Sequence, residues 1–276
     1  MARGRAVQRV ADALRTTVGI WALFEARNKA LGWPAALRWR LRERAELRRL
    51  RATVTVPPAS VTTVVPTYRR PELVVAAVRS ALAQDVADHT VIVVDDGAGL
   101  PPLPEDDRLV AVSLSSNTGV LGLVRNVGLG LARSPVAAFL DDDNTWHPHH
   151  LSTALAAIEA GAEGVYTAVE RVHPDGTELD VLSTPFDRRR LSDDSFIDAN
   201  SIVVRLGRGV RFSTLPRRRA TLPKEDWEFL WRFSRRRRVV HVPTVTVRYT
   251  VNPESYYTSW SSPDSPPVTA PTERTP

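Results

Sequence analysis

From residue 60 to residue 160, short β-branched runs alternate with segments whose apolar residues recur every three or four positions. "VTTVVP" (61–66) is closed by proline and predicts a strand ending in a turn. "RPELVVAAVRSALAQ" (70–84) has helical spacing, with Pro71 near its first turn. "TVIVVDDG" (90–97) predicts a buried strand that ends in acids and glycine, and "RLVAVSL" (108–114) predicts another. "GVLGLVRNVGLGLAR" (119–133) predicts a helix, against the cost of its four glycines. "PVAAFLDDD" (135–143) predicts a fourth strand and "HPHHLSTALAAIEA" (147–160) a helix. Such alternation implies a mostly parallel, doubly wound α/β sheet, whose ligands sit at the carboxyl ends of the strands. Three predicted strand ends carry unusual residues: Pro66-Thr67-Tyr68, Asp95-Asp96 and Asp141–Asp143.

After residue 160 the pattern changes. "EGVYTAVERV" and "TELDVLS" flank "HPDG", a hairpin signal. "FIDANSIVVR" (196–205) predicts a strand, "KEDWEFLWRFSRR" (224–236) a short helix and "VVHVPTVTVRYTV" (239–251) extended chain. Before residue 60 the chain reads as helical. Val7, Val10, Leu14, Val18 and Trp21 form one stripe, "LGWP" (31–34) predicts a break, and an Arg-rich second helix follows over about 35–51. "VPP" (56–58) has the look of a linker. This divides the chain into an N-terminal helical extension (1–58), a main domain (59–255, with halves meeting near 151) and a tail (256–276) expected to be disordered. On this division, a chain starting near Ala59 should still bind its ligand.

Composition narrows the class. Hydrophobic residues at 43% and charged residues at 25% suit a soluble globular protein. The absence of cysteine excludes disulfides and thiolate metal sites. No apolar run approaches the roughly 20 residues that span a bilayer, and no secretory signal is recognisable, so a cytoplasmic protein is expected. The net charge of +6 is uneven: residues 1–51 carry +9 and the remainder −3. A basic N-terminal segment suggests an anionic surface as partner, lipid or nucleic acid.

The acidic run is the candidate chemistry. Carboxylates this close repel unless a cation or water offsets them. On an extended backbone Asp141 and Asp143, two apart, would face the same side. Hard oxygen ligands of this kind suit Mg²⁺ or Mn²⁺. The segments "VTTVVPTYRRPELVVAAVRSAL", "VIVVDDGA", "NTGVLGLVRNVGLGLARSPVAAFLDDDN" and "HPHHL", in this order and spacing, resemble the N-terminal half of bacterial-type family-2 glycosyltransferases. "EDWEFLWR" looks like that family's acidic helix. The resemblance covers roughly residues 60–250, most strongly up to 151.

It implies a GT-A (Rossmann-like) fold, a doubly wound mixed sheet with helices on both faces, here preceded by the N-terminal helical segment. It also implies a nucleoside-diphosphate sugar donor, a hydroxyl acceptor on a glycan, lipid or protein, a Mn²⁺ or Mg²⁺ cofactor, and inversion at the sugar. Pro66, Thr67 and Tyr68 would border the nucleobase and Asp96 would accept a hydrogen bond from it. Arg125 would sit near the base or phosphates. Asp141 and Asp143 would form the DxD-type element for metal and diphosphate, with Asp143 the main metal ligand and Asp142 beside the nucleotide. Asp226 would be the general base, kept ionised by the start of its helix. Asn144 and Ala98 depart from the commoner residues without disturbing the pattern.

Plainer readings compete. An acidic loop after a strand is more often a solvated turn or cap, but here three strand ends coincide. His147, His149 and His150 are expected to start a helix rather than bind zinc, and His241 to be structural. The arginine runs 188–190, 217–219 and 235–238 are expected to be solvated loops or helix ends, with an anionic acceptor as the alternative they could face. "VAAFLDDDNT" also resembles the first motif of haloacid-dehalogenase-type phosphatases, with Asp141 as nucleophile. That motif normally ends a domain's first strand, whereas here three strand–helix units precede it. A nucleic-acid-binding protein is the other rival, without a recognised binding module. The basic segment fits an anionic membrane surface at least as well, with Trp21, Trp33 and Trp39 as anchors, and packing on the main domain equally.

Overall fold

The computed structural model describes residues 18–217 and 222–251. Val7, Val10, Leu14 and the tail from 256 lie outside the described residues. Strand β1 (Val61–Thr67) is buried along its whole length, as a central strand covered on both faces must be. It pairs in parallel with β2 (His89–Asp95) and β4 (Val136–Phe139), and β2 pairs in parallel with β3 (Leu109–Ser113). The helices between them are α2 (Pro71–Leu82) and α3 (Leu121–Leu131). This is the parallel half that the alternation predicts.

The second half makes the sheet mixed. After β5 (Asn144–Trp146) and α4 (His150–Glu159) come β6 (Gly164–Val172) and β7 (Glu178–Leu182), the predicted hairpin. Four-residue helix α5 (Arg188–Leu191) precedes β8 (Ile202–Arg205), followed by α6 (Glu225–Phe233) and β9 (Val239–Thr250). The sheet order is β3-β2-β1-β4-β8-β6-β9-β5, with β7 beside β6. β8 is antiparallel to both β4 and β6. The predicted strand 196–205 therefore begins only at Ile202. Its first half bends because the Asp198 carboxylate accepts the Asn200 N–H (2.8 Å) and opens a 3₁₀ turn, Ala199–Ser201.

Apolar side chains pack on both faces. Val61 and Val65 point towards α2 and α4, while Val64 faces the aromatic cluster of Phe139, Phe212, Trp227 and Phe229. The glycines of α3 allow close approach. A Cβ at Gly128 would come within 2.4 Å of Val64, and one at Gly130 within 2.6 Å of Leu47.

The predicted break at "LGWP" does not occur. One helix, α1, runs continuously from Ile20 to Arg51 with Pro34 inside it. Pro34 and Ala30 are both exposed, so the carbonyl that loses its usual N–H partner faces solvent, while the opposite side of the helix is held by the domain. α1 packs on α3, and Leu50 and Val56 join the cluster of Ile92, Val94 and Leu123. Val56 of "VPP" is thus packed, while Pro58 is exposed. Arg217, expected in solvent, is buried against Glu25 (2.8 Å); Arg218 and Arg219 lie outside the described residues.

Candidate active site

β1, β2 and β4 end side by side, with Thr67 level with Asp95 and Val64 level with Phe139. Each strand end delivers the residues singled out from sequence. Beyond β4 the chain does not stay extended. The Asn144 N–H donates to the Asp141 carbonyl (3.2 Å) and closes a turn around the three acids. The extended-backbone premise for Asp141 and Asp143 therefore fails, yet the turn still brings both to the same two cavities.

Two of the three carboxylates share a donor. Asp142 is buried and accepts from Thr67 Oγ1 (2.7 Å) and Arg70 Nη1 (2.8 Å). Asp143 accepts from the same Arg70 nitrogen (2.7 Å) and from the Asn144 amide (2.9 Å). Asp141 accepts from Arg125 Nη2 (2.5 Å), and its backbone N–H donates to Asn200 Oδ1 (2.6 Å). Burial, followed by the charge of Asp141, pushes Asp143 up to about 6.

Two adjoining cavities share Asp141 and Asp143. The larger, about 510 Å³, is lined by Pro66, Thr67, Tyr68, Asp96 and Asn117 as well as all three acids of the turn. Tyr68 projects outward where Arg69 turns the chain with φ 54°, and the Arg69 guanidinium lies 5.2 Å from its ring. Asp96 is held by the Thr118 N–H (2.9 Å) and hydroxyl (2.8 Å), the Gly119 N–H (2.9 Å) and Asn117 Nδ2 (3.2 Å). A base reaching Asp96 would compete first with the long Asn117 bond.

The smaller cavity, about 290 Å³, gathers Asp141, Asp143, Asp198, Glu225 and Asp226 around Arg125. Arg125, expected near the base or phosphates, lines this cavity and not the larger one. Its fully buried guanidinium ties Asp141 to Glu225 (2.9 Å) and lies 5.1 Å from the Phe212 ring. Burial alone would lower its pKa; the carboxylates of Asp141, Glu225 and Asp226 outweigh that and raise it. One cation thus links the acidic turn to the start of α6.

Asp226 is the second residue of α6, as expected, but its protonation differs from expectation. Burial, and next the Glu225 charge, push it up to about 7, against the pull of Arg125 and the Trp227 N–H (2.7 Å). Helix-end stabilisation, worth at most about 2 kcal/mol, is outweighed by desolvation. Glu228 turns away to Lys29 (2.8 Å) and Arg232 (3.1 Å). Asp198 was missed from sequence. It lines the same cavity and is pushed up to about 6, by burial and then by Asp141. Its only signal was an acid inside an apolar, strand-like run.

The histidines take separate polar partners, although the rings of His147 and His149 stack 5.9 Å apart. His150 is buried, stacked on Trp146 (4.1 Å) and bonded to Thr246 (2.7 Å); His147 meets Glu170 (3.0 Å), and His149 the Val245 carbonyl (3.3 Å). His241 stacks on Tyr166 (4.9 Å).

An α/β sheet that brings acid-bearing strand ends to one cleft, beside an acidic helix, defines a GT-A-type domain. The chain belongs to glycosyl transferase family 2, whose profile matches residues 62–217. It is similar to the succinoglycan biosynthesis protein ExoO of Rhizobium meliloti (strain 1021), with 34% identity over 52% of this chain and 45% of that protein. It is also similar to the putative colanic acid biosynthesis glycosyl transferase WcaA of Escherichia coli (strain K12), with 33% identity over 33% of this chain and 35% of that one. The matches thus span less than half of either relative. In fold it resembles S. aureus TarS 1–349 in complex with UDP-GlcNAc, with a TM-score of 0.57 and 18% identity over 74% of this chain and 62% of that chain. With the family established, the phosphatase motif and the nucleic-acid-binding reading lose their footing.

Proposed function

We propose that this chain transfers a sugar, with inversion, from a nucleoside-diphosphate sugar to an acceptor hydroxyl, assisted by Mn²⁺ or Mg²⁺. One observation carries the reading: a single cavity holds Asp141 and Asp143 of the acidic turn together with Asp226, and Arg125 ties the turn to the start of α6. The larger cavity would take the donor's nucleoside against Pro66, Thr67, Tyr68 and Asp96, with Asp142 fixing Thr67 and Arg70 beside it. Asp226 would take the proton of the acceptor hydroxyl; a base near pH 7 is well matched to that task. Attack by one activated hydroxyl on the face opposite the leaving group gives inversion. Glu225 stays with Arg125, which leaves Asp226 the better placed base.

The acidic turn fits a divalent cation. It offers hard oxygen donors, and the crowding that raises Asp143 is what a cation would relieve. Among the described residues no group of three or more His, Asp or Glu could hold the ion alone, so Asp143 and Asp141 would share it with water and the donor's phosphates. Once bound, the ion would neutralise the charge of the departing diphosphate.

The similar TarS domain was crystallised with UDP-GlcNAc, which makes uridine donors the first to try. The names of the relatives point to a polysaccharide acceptor. Release of nucleoside diphosphate from a panel of UDP-, GDP- and dTDP-sugars tests the reading. Turnover of at least one donor with Mn²⁺, abolished by EDTA, is expected, with no hydrolysis of an aryl phosphate. Aryl phosphate hydrolysis without any sugar-nucleotide turnover would overturn it. Among the described residues no helix is long and apolar enough to cross a membrane; we place the reaction at the cytoplasmic face of the membrane.

A further inference from the structure

Helix α1 partitions its side chains against the usual rule. Its acids, Glu25, Glu43 and Glu46, are buried, while Leu31, Trp33, Leu37 and Leu41 are exposed at 77%, 62%, 49% and 57%. The buried acids have partners: Glu43 holds Arg211 (2.8 Å) and Asn126 (3.0 Å), Glu25 holds the buried Arg217 side chain, and Glu46 holds the partly exposed Arg42 (3.0 Å) and Arg49 (2.8 Å) of its own helix. Trp33, Leu37 and Leu41 are spaced by four, so they form one outward stripe. Arg38, Arg40, Arg44 and Arg48 lie along the same helix, and all four are exposed. Folding alone gives no reason to hide glutamates while showing leucines and a tryptophan to water.

From this we infer that the outer face of α1 docks on an anionic lipid bilayer, its Trp33–Leu37–Leu41 stripe entering the headgroup region and its arginines meeting lipid phosphates. The chemistry on the helix is that of an interfacial element: an apolar stripe with a bulky aromatic, and cations beside it. The acids that would repel lipid phosphates are turned inward. A second cationic feature adjoins the stripe. A groove of about 590 Å³ runs between Trp33, Leu37 and Arg40 of α1 and Arg211, Leu215 and Arg232 of the domain. Burial lowers the Arg211 pKa; Glu43 opposes this, and Arg40, Arg232 and Arg44 add smaller contributions in the same direction as burial. Leu215 lines both this groove and the acidic cavity. Docking would therefore set the acceptor side of the active site against the bilayer. The inference does not depend on which donor is used.

The test is sedimentation of the full chain with phosphatidylcholine vesicles, with and without phosphatidylglycerol, across salt concentrations. Binding is expected only with phosphatidylglycerol, and it should weaken as salt rises. The Leu37→Glu/Leu41→Glu variant should lose at least ~10-fold in vesicle affinity while keeping its melting temperature and nucleotide binding. Arg40→Glu/Arg44→Glu should lose binding most at low salt. The inference is overturned if the full chain ignores phosphatidylglycerol vesicles or if the leucine variant binds them as well as wild type does. It is equally overturned if light scattering shows a dimer that the leucine variant dissolves, or if heparin is bound with no lipid response, for then a second copy or a polyanion occupies this face.

Discussion

Asp226 is a carboxylate whose environment sets its protonation near neutrality. Pushed up to about 7 by burial and by Glu225, it lies well above an unfolded aspartate near 3.9. As a base it must be ionised, so kcat/KM should rise with pH through about 7, and that acid limb should disappear in Asp226→Asn along with at least ~100-fold in transfer rate. The same shift opposes folding. The neutral form is favoured in the native state, so the cost is absent below about pH 4, grows as pH rises towards 7 and stays level above it. Asp226→Asn should therefore melt higher than wild type at pH 8, by an amount that vanishes near pH 4. A variant that loses transfer but melts at the wild-type temperature at every pH would contradict the assigned environment. Arg125 pulls in the other direction. Arg125→Met strands Asp141 and Glu225, so a loss of roughly 3–5 kcal/mol in denaturant unfolding is expected. The positions of Pro66, Thr67, Tyr68, Asp96 and Asp226 were legible in sequence because strand ends and helix starts have local signatures. The pKa of Asp226 and the place of Asp198 were not, because both depend on groups distant in the chain.

At the scale of elements, α1 departs furthest from what its sequence suggests. A local rule about proline predicted two helices. Pro34 is tolerated because it faces solvent while the other side of the helix is anchored. Glu25, Glu43 and Glu46 point inward, which the apolar pattern of the segment does not signal. The expectation that a chain starting near Ala59 keeps its ligand changes accordingly: Leu50 and Val56 belong to the cluster under α3. Leu50→Ala should cost roughly 2–5 kcal/mol in denaturant unfolding, whereas a value near zero would show that α1 is a detachable extension. In α3 the glycines that weakened the helix reading are the residues that let Val64 and Leu47 approach.

Across the whole molecule, the parallel half was legible because alternation of strand and helix leaves few ways to wind a sheet. The other half was not. Placing β8 antiparallel between β4 and β6, and returning β9 beside β6, are long-range pairings that no local pattern encodes. Yet these pairings complete the site, because the chain on either side of β8 carries Asp198 and α6 into the cavity below the acidic turn. The account rests on the acidic turn holding a nucleoside diphosphate through a cation. Calorimetric titration of UDP, GDP and dTDP into wild type and Asp143→Asn, with Mn²⁺ and again with EDTA, tests this most directly. At least one nucleotide should bind wild type at least ~10-fold more tightly with Mn²⁺, a gain of about 1.4 kcal/mol, and Asp143→Asn should lose that gain while remaining folded. Nucleotide affinity indifferent to both Mn²⁺ and the substitution, or no binding of any nucleotide, would contradict the account.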